Sequence, residues 1–224
     1  MAELRPDVER FERWAASYDR SPLQLLYFHP IHRTLGAALS PAGGARVLDV
    51  GCGTGALSMR LAALGADVVG VDPARGMVAR ARAKASAVPA GSPAAPSPPA
   101  PRFLVAAVEH LPFADGAFDA AVSSVSAHHW DDPRGGFAEL HRVVRPGGRL
   151  AVADMRALGF IRARVQRRLE PAHHEGWSVG ELGSLLREAG FRRVRRRKRW
   201  WWLGRFAVIL AADRDEVRPG PDPG

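Results

Sequence analysis

The chain of 224 residues contains a single cysteine, Cys52. One thiol cannot close an internal disulfide or build a multi-cysteine zinc site, and this points to a reducing, cytoplasmic setting. His173-His174 stand without accompanying cysteines, so no metal site is expected there. No apolar run approaches the ~20 residues that a bilayer-crossing helix needs, so no membrane span is expected. The opening Met1-Ala2-Glu3-Leu4-Arg5-Pro6-Asp7 carries acids and no apolar stretch, unlike a secretory leader. Lysine is nearly missing: Lys84 and Lys198 are the only two, and the net charge of +9 is carried by arginine. Abundant Arg, Ala, Gly and Pro together suggest GC-rich coding, which raises the charge without any functional demand. The excess is also local, because seven of the eight residues from Arg192 to Arg199 are basic. Such a patch can steer anions or nucleic acid, but the compositional reading comes first, and a nucleic-acid partner is not expected.

What is present fits one globular domain: 46% hydrophobic and 25% charged residues over a length that supports one sizeable core. Residues 1–40 read as two or three short helices forming a lid, with Val8, Phe11, Trp14, Tyr18, Leu23, Leu26, Ile31 and Leu35 at helical spacing, punctuated by Pro22 and Pro30. Residues 41–212 then alternate strands and helices. Arg46–Val50, Asp67–Asp72, Phe103–Ala106, Phe118–Ser123 and Arg149–Asp154 are predicted strands, and Arg192–Trp202 and Phe206–Ala212 close the series. Arg145-Pro146-Gly147-Gly148 reads as a turn ending the helix that contains Phe137, Leu140 and Val143. Ser178, followed three residues later by Glu181, has capping-box spacing. Residues 86–101, rich in Pro, Ala and Ser, read as a flexible insertion, and 213–224 as a disordered tail. Along a strand Trp201 would face away from Trp200 and Trp202, so the three make no stacking platform. The alternation predicts a seven-stranded, mostly parallel α/β sheet with helices on both faces, and ligands beyond the carboxyl ends of its strands.

The chemistry concentrates in Asp49-Val50-Gly51-Cys52-Gly53-Thr54-Gly55, between a strand and a helix. Glycines permit a tight turn and a close ligand approach, and the helix start beneath offers free N–H groups. Asp72 lies twenty-one residues past Gly51 at the tip of the next strand, where a carboxylate can accept hydrogen bonds from ribose hydroxyls. An alternative role for Asp72 is as a helix N-cap.

The run Val47–Gly55 resembles motif I of class I methyltransferases that use S-adenosylmethionine (SAM). More narrowly, the chain resembles their ubiquinone/menaquinone-biosynthesis-like branch, methyltransferase type 11. Leu111-Pro112-Phe113, Asp115-Gly116, Phe118-Asp119, Ser123-Ser124, His128-His129-Trp130 and the stretch Glu139–Leu150 carry that likeness in order. The resemblance implies a Rossmann-like fold in which Asp49, Gly51, Cys52, Gly53 and Gly55 cradle the methionine and ribose of SAM. It further implies that Asp72 holds the ribose, that Pro73 sits beside the adenine, and that Tyr18 closes over the cofactor. Where family members often place an adenine-binding Asp, this chain has Ala107, which leaves backbone groups at Ala107–Val108 for that task. Ser123 would contact the cofactor and begin the pocket for a small-molecule acceptor. The sulfonium methyl is already activated, so the protein must align the acceptor and exclude water; His128 and His129 are candidate proton acceptors. A nucleic-acid methyltransferase and a non-catalytic SAM-binding protein stand as alternatives.

Overall fold

A computed structural model describes residues 6–22, 24–87, 99–157, 177–202 and 205–215. Most of the proposed insertion, most of the proposed tail, the segment 158–176 and the side chains of Trp200, Trp201 and Trp202 lie outside what is described. Seven strands form one sheet: β1 (Arg46–Val50), β2 (Asp67–Asp72), β3 (Arg102–Val105), β4 (Phe118–Ser124), β5 (Val144–Ala157), β6 (Arg192–Trp202) and β7 (Arg205–Asp213). Their spatial order is β3-β2-β1-β4-β5-β7-β6. The first five run parallel, and β7 is antiparallel to both β5 and β6. The order reverses between β1 and β4, and open α/β sheets bind ligands at such a switch point.

Alternation along the strands sends neighbouring residues to opposite faces. Leu48 and Val69 join Phe118, Phe137, Leu140, Leu182, Leu186 and Phe191 on one side. Val47 and Val68 join Ile31, Leu35, Leu57, Leu61, Val122 and Ala151 on the other. Helices α5 (Pro133–Val143) and α6 (Val179–Glu188) cover the first face, while α2 (His29–Leu39) and α3 (Ala56–Ala63) cover the second. Between them in sequence lies α4 (Arg75–Ser86). Proline sets the start of α2 and of α5. Ser178 and Glu181 complete the expected reciprocal cap of α6.

The N-terminal segment forms α1 (Pro6–Trp14), a 3-10 turn at Tyr18–Arg20 and a π-helical turn at Gln24–Phe28 before α2. Asp7 and Glu9 in the first turn of α1 and Arg13 in its last complement the helix dipole.

One predicted boundary is corrected. Arg145–Gly148 is not a separate turn but the start of β5, with a register shift against β4 between Phe118 and Ala120. Gly147, at φ 73°, supplies the left-handed residue that such a bulge uses, so Pro-Gly-Gly kinks a strand here instead of ending one. The family-like residues around it act as a staple. The Arg142 guanidinium donates to the carbonyls of Leu111 and Phe113 and to the carboxylates of Asp115 and Glu139. Glu139 in turn accepts from Leu111 N–H.

Candidate functional site

The parallel register brings the ends of β1, β2 and β4 to one edge, with Val50, Asp72 and Ser124 last in their strands and Asp154 of β5 one residue past the Ser124–Ala153 pair. Beyond β1 the chain turns through Gly51 (φ 67°), Gly53 (φ 53°) and Gly55 (φ 80°) into α3. A Cβ at Gly51 would stand 2.4 Å from the Cβ and Oγ of Ser126, so only glycine fits there. A Cβ at Gly53 would meet nothing within 4 Å. Open space therefore lies directly over the turn.

The amides of this loop are less free than the glycine pattern suggests. Gly51 and Cys52 N–H both donate to the Val71 carbonyl, and Gly55 N–H donates to Cys52. Gly53 N–H donates to Asp72 Oδ2 at 2.9 Å, while Ala74 N–H donates to Asp72 Oδ1 at 2.9 Å. Asp72 thus ties the glycine loop to the start of α4, and its carboxylate keeps lone pairs for further donors. Burial pushes its pKa up to about 6, with the two amide donors opposing. Asp49 lies behind the loop, fully buried, and accepts from Ser58 Oγ at 2.6 Å. Burial raises its pKa to about 7 against that hydrogen bond.

The crevice over the loop is walled by Gly51, Gly53, Asp72, Pro73 and Met77 on one side and Ser124, Val125, Ser126, His129 and Trp130 on the other. Asp7, Val8, Phe11 and Tyr18 from the N-terminal segment complete it. Of the residues expected from sequence, Gly51, Gly53, Asp72, Pro73, Tyr18 and His129 are brought together here. Asp49, Cys52, Gly55 and Val108 are buried behind this wall, and Ala107 begins a 3-10 turn, Val108–His110, after β3. The Cys52 side chain packs with Val78, Ala81 and Phe103, and burial raises its thiol pKa well above the ordinary value. Ser123 is fully buried and shares a 2.8 Å hydrogen bond with Ser126 Oγ. Its neighbour Ser124 faces the crevice instead, and its buried Oγ has no partner among the described residues. Val125 adopts φ 54°, rare for a β-branched residue, while donating its N–H to the Ala153 carbonyl at 2.6 Å. Burial lifts the Tyr18 phenol to about 12.

The 3-10 turn Ala127–His129 follows β4. His128 Nδ1 lies 2.6 Å from Oδ1 of Asp154, and its backbone N–H donates to Oδ2 at 3.0 Å. His129 Nδ1 lies 3.2 Å from Asp7 Oδ2. Neither acid stood among the site residues expected from sequence. A signal for Asp154 was available, since it ends the apolar run Leu150-Ala151-Val152-Ala153 much as Asp72 ends β2. Among the described residues no cluster of three His, Cys, Asp or Glu could hold a metal, and no helix is long and apolar enough to cross a membrane.

The space over Gly53, the buried acid beside it and the orphaned Ser124 hydroxyl suit a ligand that carries hydroxyls and a cationic centre. Comparisons with known proteins agree. A model described as a methyltransferase domain matches residues 48–152. An O-methyltransferase of Aspergillus sclerotiorum is 37% identical over 169 residues, 71% of this chain and 60% of that protein. An O-methyltransferase of Aspergillus nomiae is 38% identical over 169 residues, 71% of this chain and 70% of that protein. The chain therefore spans about 60% of the length of the first of these relatives. Among solved structures, the YcgJ protein of Bacillus subtilis has a TM-score of 0.68 at 20% identity, over 83% of this chain and 100% of its own, a likeness of fold. From the glycine loop, the acid at the tip of β2, the sheet order and these relatives, the chain belongs to the class I SAM-dependent methyltransferases, in the branch of that methyltransferase domain.

Proposed function

We propose that the protein transfers a methyl group from SAM to a small-molecule acceptor. The observation that carries this reading is the Asp72 carboxylate bridging Gly53 N–H and Ala74 N–H beside open space at the sheet's switch point. Asp72 and Pro73 would hold the nucleoside. Gly51 and Gly53 would let it approach the backbone, with Asp49, Cys52 and Gly55 shaping the turn from behind. Ala107 and Val108 would flank the adenine through backbone groups, and Ser123 would position Ser126 on the opposite wall. Tyr18 and α1 would cover the crevice as a lid belonging to the same domain. When bound, SAM supplies an already activated methyl group; this chain's residues align the acceptor, exclude water and take up any proton the acceptor loses. His129, on the crevice wall, and His128, whose ring lies against it, would serve that last task. The acceptor is a small molecule and not a nucleic acid, in keeping with the O-methyltransferase relatives, and the setting is the cytoplasm.

Calorimetry with SAM and with S-adenosylhomocysteine, on wild type and Asp72→Ala, tests the reading. A hydrogen bond to a charged group is worth about 1.5–3 kcal/mol, so affinity should fall at least about tenfold. Equal affinity in the two proteins, or no binding to wild type, would overturn it.

A further inference from the structure

The Tyr18–Arg20 turn borders two spaces. Tyr18 lines the crevice over the glycine loop, while Asp19 lines a second cavity of about 400 Å³ together with Gln24, His29, His32, Ala56 and Arg60. The two linings share no residue, and apart from Ala56 the second is wholly polar.

Its charge is unbalanced. Arg60, on α3, makes no hydrogen bond or ion pair among the described residues, and its Nε is buried. A guanidinium nitrogen taken out of water without an acceptor is costly to the fold. His32, on α2, is nine-tenths buried and faces the same cavity. Its ring packs near Phe28 but takes no hydrogen bond among the described residues. Burial, then His29 and Arg60, push its pKa down to about 4, so the imidazole is neutral near neutral pH and offers one N–H. Asp19 is the single acid of the lining, and it is already engaged by Thr54 Oγ1 at 2.5 Å and Lys84 Nζ at 3.1 Å. Gln24 Nε2 donates to the Tyr18 carbonyl at 3.4 Å. Ala56 opens α3, whose N-cap Gly55 supplies no capping side chain, so the helix dipole adds partial positive charge.

We propose that this cavity is an anion site separate from the SAM crevice, in which Arg60 and His32 hold the oxygens of a phosphate or carboxylate group. The ligand class follows from the donors. A guanidinium fork has five N–H groups and no acceptor, and it matches the planar or tetrahedral oxygens of such a group. A neutral ligand would leave the Arg60 charge uncompensated. Water occupies about 30 Å³ per molecule in the liquid, so the cavity has room for an oxyanion and for an organic body that carries it. The site stands independently of the methyl-transfer reading, because none of its residues is assigned to that chemistry.

The test titrates the full chain with inorganic phosphate and with glycerol phosphate, against chloride at equal ionic strength. The melting temperature and the nitrogen-15 resonances of the His32 ring, assigned with His32→Gln, are the readouts. Wild type saturates with phosphate: its melting temperature rises and the His32 resonances move over the same concentration range. Arg60→Met keeps the aliphatic stem but loses affinity at least about tenfold. Without phosphate it melts no lower than wild type, because an unpartnered cation has been removed. Tighter binding of the ester marks a group carried on a larger molecule, and equal affinity marks the free anion. Calorimetry with S-adenosylhomocysteine gives the same affinity with and without phosphate, and within about threefold of wild type in Arg60→Met. Failure of wild type to bind S-adenosylhomocysteine would count against the methyl-transfer reading, while the phosphate titration still decides the anion site. An equal response of wild type and Arg60→Met, which is the general action of phosphate on folded chains, overturns the proposal. So do unmoved His32 resonances, or phosphate competing with S-adenosylhomocysteine, which would make the cavity an extension of the cofactor crevice.

Discussion

The floor and the cover of the crevice are held by different forces. The floor is the tips of parallel strands whose residues are buried on both faces, with Leu48, Val71, Val122 and Val152 at 4% exposure or less. The cover, α1 and the turn after it, buries Val8 and Ala15 against Ala74 and Met77. Phe11 and Tyr18 pack against the same cluster, and polar contacts add to it. Glu12 accepts from Arg75 N–H at 2.5 Å and Gly76 N–H at 2.7 Å, capping α4. Arg80 donates to the Ala16 carbonyl, and Asp19 meets Thr54 and Lys84. Exposed polar contacts are worth little each and are exchanged readily for water. The residues that shape the crevice floor thus lie in the sheet, and α1 is expected to open before the strands do.

The strongest way to break the floor is Gly51→Ala. A left-handed alanine costs about 1–2 kcal/mol, and the 2.4 Å approach to Ser126 adds overpacking of about 1–3 kcal/mol. Chemical denaturation should show the summed loss together with weakened S-adenosylhomocysteine binding; an unchanged midpoint would mean that the turn yields easily.

A smaller effect of opposite sign is expected at Asp49. Its folded pKa of about 7 lies above the ordinary carboxylate value, so its contribution to stability is full at low pH and is lost as pH rises from about 4 through 7. Asp49→Asn should therefore melt higher than wild type at pH 8 and match it near pH 4. Melting curves across that window check the sign.

The smallest effect belongs to the cover. Glu12→Gln keeps an acceptor but loses the charge at the start of α4, worth about 0.3–1 kcal/mol. Amide exchange in α1 should quicken several-fold while exchange in β1, β2 and β4 stays as it was. Faster exchange in the strands would show that cover and floor unfold together.

The floor was legible in sequence because its determinants are local. Gly51, Gly53 and Gly55 mark a turn by what glycine alone can do, and Asp72 follows from the length of one strand–helix–strand unit. Arg145–Gly148 was misread because Pro and Gly mark a bulge as readily as a turn. Asp7 and Asp154 escaped because their meaning lies in partners 122 and 26 residues away, contacts that no spacing rule encodes. For the same reason the sequence showed glycines that open the backbone but not that Val71 already takes two of the loop's amides.

The position of β7 has a consequence for how the molecule is made. Although last among the described strands, it lies between β5 and β6 in the sheet. While the polypeptide emerges from the ribosome, β5 has no neighbour on that side and β6 has none at all until Arg205–Asp213 is synthesised. Two unpaired strand edges therefore wait for β7, and a product released before it would be an aggregation-prone fragment and not a shorter version of the native domain.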